Sequence, residues 1–140
     1  MAGTELTYPF KAKKRVTSSF QGHLARTPPS TAPGTDFGAD WGEPVYAPIA
    51  GTINAARWWG AGGRAMWIHW THDPQNVRVY LAHLSSVVTL SHERVEAGDL
   101  VGFVGSTGNS TGPHLHLSFK LQGRWVDPME YMEEPGRQDG

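Results

Sequence analysis

Two histidines separated by a single residue lie near the end of the chain, in the segment Pro113-His114-Leu115-His116-Leu117-Ser118-Phe119. As a β-strand this segment alternates, so that His114, His116 and Ser118 share one face and the apolar residues between them share the other. The apolar face is predicted to join the core. The strand follows a glycine-rich loop, which lets other backbone segments approach closely. The two imidazoles on the opposite face form half of a metal or acid–base site. The alternative is a pair of surface histidines on a half-solvated strand.

Composition predicts the elements that must position these histidines. The chain has 140 residues, which is typical of one domain with a single core, and its 17 glycines, 10 prolines and six tryptophans favour short strands joined by tight turns. We therefore predict an all-β fold over residues 1–140, with a core from about residue 16 to 131 and flexible ends. There is no cysteine, so disulfides and thiolate zinc sites are excluded and any metal must be held by His, Asp or Glu.

Charge and hydropathy exclude two further classes of protein. The net charge is −1, and no basic cluster exceeds the run Lys11 to Arg15, so a nucleic-acid footprint is absent. No apolar run approaches the ~20 residues that span a bilayer, and residues 1–10 lack the apolar segment of a signal peptide. These features predict no membrane span. They also predict that export either does not use a signal peptide or follows the removal of one.

Alternation and turn residues predict most of the strands. We expect strands at residues 15–20, 65–71, 77–84, 101–104, 113–121 and 124–128, and a strand that turns a corner between residues 44 and 53. Residues 21–35, with prolines at 28, 29 and 33, are predicted to be a long loop.

A hydrolytic zinc site needs three nitrogen or oxygen ligands and an open position for water. His116 and Asp36 are plausible ligands, and His114 and His83 could orient water and stabilise an oxyanion. His83 ends an alternating strand whose other members on that face are Val77, Val79 and Leu81. A histidine at the edge of the core is therefore the alternative for that residue.

Several dispersed motifs, taken together, resemble the lysostaphin/LytM-type zinc metalloendopeptidases, which cut peptide cross-bridges or stems in bacterial peptidoglycan. The resemblance covers about residues 16–131. Its motifs are, in order, Pro33-Gly34-Thr35-Asp36-Phe37, Gly42-Glu43-Pro44-Val45-Tyr46-Ala47-Pro48, His83-Leu84-Ser85, Gly98-Asp99, Gly105-Ser106-Thr107-Gly108 and His114-Leu115-His116. The resemblance implies an antiparallel β-sheet groove or sandwich of the duplicated hybrid motif type, with long loops as its walls. It also implies that Asp36 and His116 are zinc ligands, and that His83 and His114 position water and stabilise the oxyanion.

The sequence departs from the family pattern at one ligand. The histidine of His-x-Gly-x-Asp should lie four residues before Asp36, where this chain has Ala32. Two protein ligands are too few for a tight catalytic zinc site. We therefore predict that His23, similar to a histidine in a variant form of the family, folds back across the groove as the third ligand. The alternative is a catalytically inactive domain that serves as a scaffold or activator.

Other residues are weaker candidates. His69 either lines the groove or has a structural role, whereas His72 and His92 are predicted to be solvated. Trp58, Trp59, Trp67 and Trp70 could wall a cleft or pack in the core. The expected substrate is the peptide of peptidoglycan, at the extracellular or periplasmic side of the bacterial cell wall. A bacteriophage lysin or a tail-associated hydrolase with virion partners would fit this chemistry.

Overall fold

The expected all-β fold is confirmed by the computed structural model, in which residues 5–58, 60–73, 76–108 and 110–135 are described. The strands are β1 (Val16–Ser18), β2 (Thr35–Gly38), β3 (Pro44–Tyr46), β4 (Gly51–Trp58), β5 (Arg64–Trp70), β6 (Val77–Ala82), β7 (Leu84–Val87), β8 (Arg94–Val95), β9 (Leu100–Val104), β10 (His114–Leu121) and β11 (Arg124–Val126). One short helix, α1, covers Phe20–Leu24, and 3-10 turns cover Gly60–Gly62 and Pro128–Glu130. None of the helices among the described residues is long and apolar enough to cross a membrane.

Two antiparallel sheets enclose the core. The larger sheet has the order β1-β2-β10-β6-β5-β4-β8, with β11 beside β10, and the smaller sheet has the order β3-β9-β7. The predicted corner between residues 44 and 53 is confirmed, because β3 belongs to the small sheet and β4 to the large one. Buried side chains from both sheets form one apolar cluster, which includes Val45, Ile53, Leu84, Val104 and Leu117.

Strand β10 alternates as the sequence predicts. Leu115, Leu117 and Phe119 are all fully buried in the apolar cluster. The opposite face of the strand carries His114, His116 and Ser118. The apolar face therefore holds the polar one in a fixed orientation.

The structure corrects several sequence predictions. The predicted strand of residues 15–20 ends at Ser18, and Phe20 begins helix α1, which also includes the first residues of the predicted loop of residues 21–35. The predicted strand of residues 77–84 is divided at His83, after which the chain crosses into the small sheet as β7. The core extends beyond its predicted limits, because Leu6, Tyr8 and Phe10 are buried in it, and Leu6 pairs with Met132 in an isolated bridge.

The fold predicts a large difference between two leucines. Leu117 is fully buried, whereas Leu90 is 76% exposed. Replacing Leu117 by alanine should lower the free energy of unfolding by about 2–5 kcal/mol, because it removes buried methyl groups and leaves a cavity. Leu90→Ala should change it by less than about 0.5 kcal/mol. Urea denaturation of both variants checks this, and equal losses would contradict the assignment of the core face of β10.

Candidate metal centre

The register of the large sheet places Asp36 beside His116. On β10, His116 is paired with Asp36 of β2 on one side and with Ala82 of β6 on the other. Paired residues of adjacent strands point to the same face, and His116 Nδ1 lies 2.8 Å from Asp36 Oδ1. Both side chains are buried. Two of the predicted ligands therefore meet because of strand pairing alone.

The third predicted ligand, His23, reaches this pair from helix α1. Ser19 caps the helix, its side chain accepting a hydrogen bond from the Gly22 N–H. The His23 ring is 1% exposed, and its Nε2 lies 3.4 Å from Asp36 Oδ2. Ligand atoms of His23, Asp36 and His116 all lie within 4.8 Å of one another. His23 is thus delivered by a capped helix and not, as expected, by a flexible loop.

His83 and His114 form a second pair in the same pocket, which is lined among others by His23, Asp36, His83, His114 and His116. The ring centroids of His83 and His114 are 4.6 Å apart. His83 has a φ of 65°, a left-handed conformation that is uncommon for a residue other than glycine. This break in the strand turns its ring into the pocket, away from the core face of Val77, Val79 and Leu81. The core-edge interpretation of His83 is therefore wrong.

A backbone carbonyl fixes one ring nitrogen of each of the four histidines. The Nδ1 atom of His23 lies 2.8 Å from Ser19 O, that of His83 lies 2.7 Å from Thr107 O, and that of His114 lies 2.9 Å from Gly112 O. In His116 it is Nε2 that contacts a carbonyl, Ala32 O at 2.8 Å. A carbonyl only accepts hydrogen bonds, so each of these nitrogens carries a hydrogen. The other nitrogen of each ring is presented to the pocket.

Ala32, where the family pattern has a histidine, contributes its backbone to the site. Its carbonyl accepts from Ser118 Oγ at 2.9 Å as well as from His116. The chain here lies directly on β10, since a Cβ at Gly34 would lie 2.2 Å from Leu117 O. That approach requires glycine and fixes the Ala32 carbonyl over His116.

The glycine-rich loop after β9 holds His83 through Thr107. The Thr107 hydroxyl donates to Leu84 O at 2.7 Å and accepts from Arg64 N at 3.0 Å. Gly63 and Gly108, both with positive φ, pack backbone against backbone, because a Cβ on either would lie 2.4 Å from the other's nitrogen. The close approach predicted for this loop therefore exists, and it positions the carbonyl that orients His83.

Burial and hydrogen bonding set the charges at the site. Burial raises the pKa of Asp36, but hydrogen bonds from His116 and His23 and the charge of these rings outweigh it and hold that pKa well below its usual range. Burial lowers the pKa of His83 despite its hydrogen bond to Thr107. Burial also raises the pKa of Tyr80, which lines the pocket. At neutral pH Asp36 is therefore a carboxylate and His83 a neutral ring.

Sequence reasoning did not assign two side chains that line this pocket, Arg26 and Tyr80. Arg26 belongs to the same segment of histidine, arginine and prolines as His23, and Tyr80 could have been found, because it alternates with Ala82 on the face opposite Val79 and Leu81. His72 and His92 are exposed as expected, and His69 lies on β5 opposite Arg78, outside the described lining of the pocket.

The tryptophans that were candidates for a cleft wall lie in different surroundings. Trp67 stacks on Trp125, with centroids 5.9 Å apart, and Trp70 packs against the core. Trp59 and the side chain of Trp58 lie outside the described residues.

This chain belongs to Peptidase family M23, whose family profile matches residues 30–128. It is 35% identical over 138 residues to an uncharacterized metalloprotease of Haemophilus influenzae, covering 95% of this chain and 28% of that protein. It is also 35% identical over 126 residues to the peptidoglycan DD-endopeptidase ShyA of Vibrio cholerae, covering 88% of this chain and 29% of ShyA. The crystal structure of a zinc containing peptidase from Vibrio cholerae superposes with a TM-score of 0.76 at 28% identity, covering 89% of this chain and 39% of that one.

The resemblance identified in the sequence is thus confirmed at the level of the family. The chain spans less than a third of the length of these two curated relatives. His23 lies ahead of the matched segment, which begins at residue 30.

The carbonyl contacts predict one ring nitrogen in each of the four histidines that carries a hydrogen. In the metal-free protein, long-range ¹H–¹⁵N correlation spectra should show a protonated Nδ1 in His23, His83 and His114 and a protonated Nε2 in His116, because each of these nitrogens donates to a carbonyl. Exposed His92 serves as the control and should show no such fixed Nδ1 hydrogen. A bare Nδ1 in His23 would contradict the orientation described for that ring.

Proposed function

We propose that this domain is a zinc-dependent endopeptidase that hydrolyses peptide bonds in bacterial peptidoglycan. The observation that carries the proposal is the convergence of His23, Asp36 and His116, each of which offers one ligand atom within 4.8 Å of the others. Two imidazole nitrogens and one carboxylate oxygen are a donor set that catalytic zinc sites use, with a fourth position left for water.

The surroundings of the three side chains fit a metal. In each histidine the ring nitrogen that faces away from Asp36 donates to a backbone carbonyl. Nδ1 of His23 donates to Ser19 O, and Nε2 of His116 donates to Ala32 O. Metal-bound histidines in proteins are held in this way, because an acceptor on the far nitrogen fixes the ring and raises the basicity of the ligating one. We therefore assign His23, Asp36 and His116 as the zinc ligands.

His83 and His114 supply the remaining groups for hydrolysis. When bound, zinc polarises the peptide carbonyl and lowers the pKa of its water to about 7. His83 is neutral, and its Nδ1 hydrogen is engaged with Thr107 O, so its Nε2 can accept a hydrogen bond from the attacking water. His114 Nε2 lies 3.9 Å from Asp36 Oδ1, and in its doubly protonated form this ring can donate to the oxyanion.

The family and the relatives support the substrate class. ShyA, described as a peptidoglycan DD-endopeptidase, is matched over 88% of this chain. A peptidoglycan substrate places the activity at the bacterial cell wall, on its extracellular or periplasmic side.

Zinc content tests the ligand set. The parent should bind about one zinc per chain, and His23→Ala or His116→Ala should bind it more than about 100-fold more weakly, since each removes a ligand. Elemental analysis after dialysis measures this. His92→Asn, which changes an exposed histidine with a φ of 74°, is the matched control and should keep its zinc.

Two results would overturn parts of this assignment. A parent without zinc, even after incubation with excess metal, would exclude the enzyme and favour an inactive scaffold. Zinc retained in His23→Ala would place the third ligand elsewhere.

Activity tests the second histidine pair. His83→Ala and His114→Ala should keep zinc but release fragments from purified peptidoglycan about 10²- to 10⁴-fold more slowly, the range typical of lost proton-transfer or hydrogen-bonding groups. Chromatography of the soluble fragments provides the rates, with His72→Ala at an exposed position as the control. Parent rates in both variants would remove these residues from the mechanism.

A further inference from the structure

Arg26 lies at the wall of the pocket, just after helix α1. Its side chain is 50% exposed, and one guanidinium nitrogen, NH2, lies 3.7 Å from Asp36 Oδ2. The same nitrogen donates to Ser18 Oγ at 3.2 Å. A guanidinium has five N–H donors, so this contact leaves donors that can turn toward a molecule in the pocket.

Asp36 is not a sufficient partner for this cation. Its two oxygens face His116 Nδ1 at 2.8 Å and His23 Nε2 at 3.4 Å, and 3.7 Å is beyond the length of a hydrogen bond from Arg26. If Asp36 ligates a metal, as proposed above, its charge is also shared with that ion. Arg26 then remains as a half-exposed cation beside the reaction centre.

The charged groups of the pocket are few. Among the described residues that line it, Asp36 has the one carboxylate and Arg26 the one guanidinium. With a divalent cation bound, as proposed above, the pocket is positively charged. Such a pocket attracts an anionic substrate, and the planar fork of arginine matches a carboxylate bidentately.

We propose that Arg26 binds a carboxylate of the substrate peptide and so makes this site selective for acidic peptides. The proposal rests on the endopeptidase function proposed above, and it adds a specificity-determining residue. Because Arg26 lies 3.7 Å from the carboxylate of Asp36, a proposed zinc ligand, the bound carboxylate lies close to the cleaved bond. Either a side chain or a peptide C-terminus can supply it.

The test uses one cross-linked muropeptide, prepared in three forms and digested by the zinc-loaded protein. All its carboxylates are free in the first form, only the C-terminal ones are amidated in the second, and only the side-chain ones in the third. For the parent, kcat/KM should fall about 10- to 100-fold on one of the amidated forms, which identifies the source of the carboxylate. That range corresponds to the loss of one charge-assisted hydrogen-bonded pair.

Substitution of Arg26 should remove this preference. Arg26→Gln should lose about 10- to 100-fold in kcat/KM on the free form, mainly through KM, and little on the form that the parent already disfavours. Arg26→Lys keeps a cation without the fork and should lie between the two. Arg94→Gln, exposed on β8 at the far edge of the large sheet, is the matched control and should behave as the parent.

Two outcomes would overturn the proposal. An equal loss on all three forms in Arg26→Gln would mean that Arg26 only positions the site. Equal rates of the parent on all three forms would mean that no carboxylate is recognised. Zinc content of both Arg26 variants is measured in parallel, and if Arg26→Gln loses zinc, the same comparison is made with Arg26→Lys.

Failure of the endopeptidase function would be distinguishable, since the parent would then cleave none of the forms. Calorimetric titration of the zinc-loaded protein with the free and amidated muropeptides then decides the role of Arg26 alone. The parent should bind the free form about 10- to 100-fold more tightly, and Arg26→Gln should lose that difference. Equal binding of all forms by the parent would reject the carboxylate subsite.

Discussion

The register between β10 and its neighbours is the constraint on which the site depends. A slip of one residue would turn every side chain of β10 to the other face, sending His116 into the core and Leu115, Leu117 and Phe119 into the pocket. Each of these apolar side chains is fully buried, and each such burial contributes about 1.5–3 kcal/mol. The position of the polar residues is therefore determined by the apolar face of the strand, and the pairing of His116 with Asp36 follows from it.

Strands supply the position of these rings, and loops supply their orientation. The four carbonyls that hold the histidines belong to Ser19, Ala32, Thr107 and Gly112, all outside the regular strands and helices. A carbonyl is an acceptor that no side-chain substitution removes, and it selects which ring nitrogen is left to face the pocket. The close glycine contacts at Gly34, Gly63 and Gly108 maintain this arrangement, because two of the four carbonyls lie within two residues of such a contact.

Much of the fold could be predicted from periodicity, and the failures have physical causes. Residues 114–119 alternate strictly, so both faces of β10 were readable, whereas a helix of five residues such as α1 is too short to give a periodic signal. The break of the strand at His83 could not be predicted, because alternation assumes an unbroken strand and nothing in the sequence marks a positive φ at a histidine. Leu6, Tyr8 and Phe10 do alternate, but their segment is too short to be predicted as a part of the core. The pairing of Asp36 with His116 came from family resemblance, since no local pattern links residues so far apart.

The alanine at position 32 and the position of helix α1 bear on the same site. The chain at Ala32 keeps its path over β10, because its carbonyl is needed by His116 and Ser118, but its methyl group packs beside Ala65, Tyr80 and Ala82 and has no donor for a metal. The proposed ligand set takes its third member from another element, because α1 places His23 against the ring of His116, with centroids 4.9 Å apart. Arg26 follows three residues later, just beyond the end of the helix, and lines the same pocket. One short segment therefore supplies both the proposed third ligand and the guanidinium at the pocket wall.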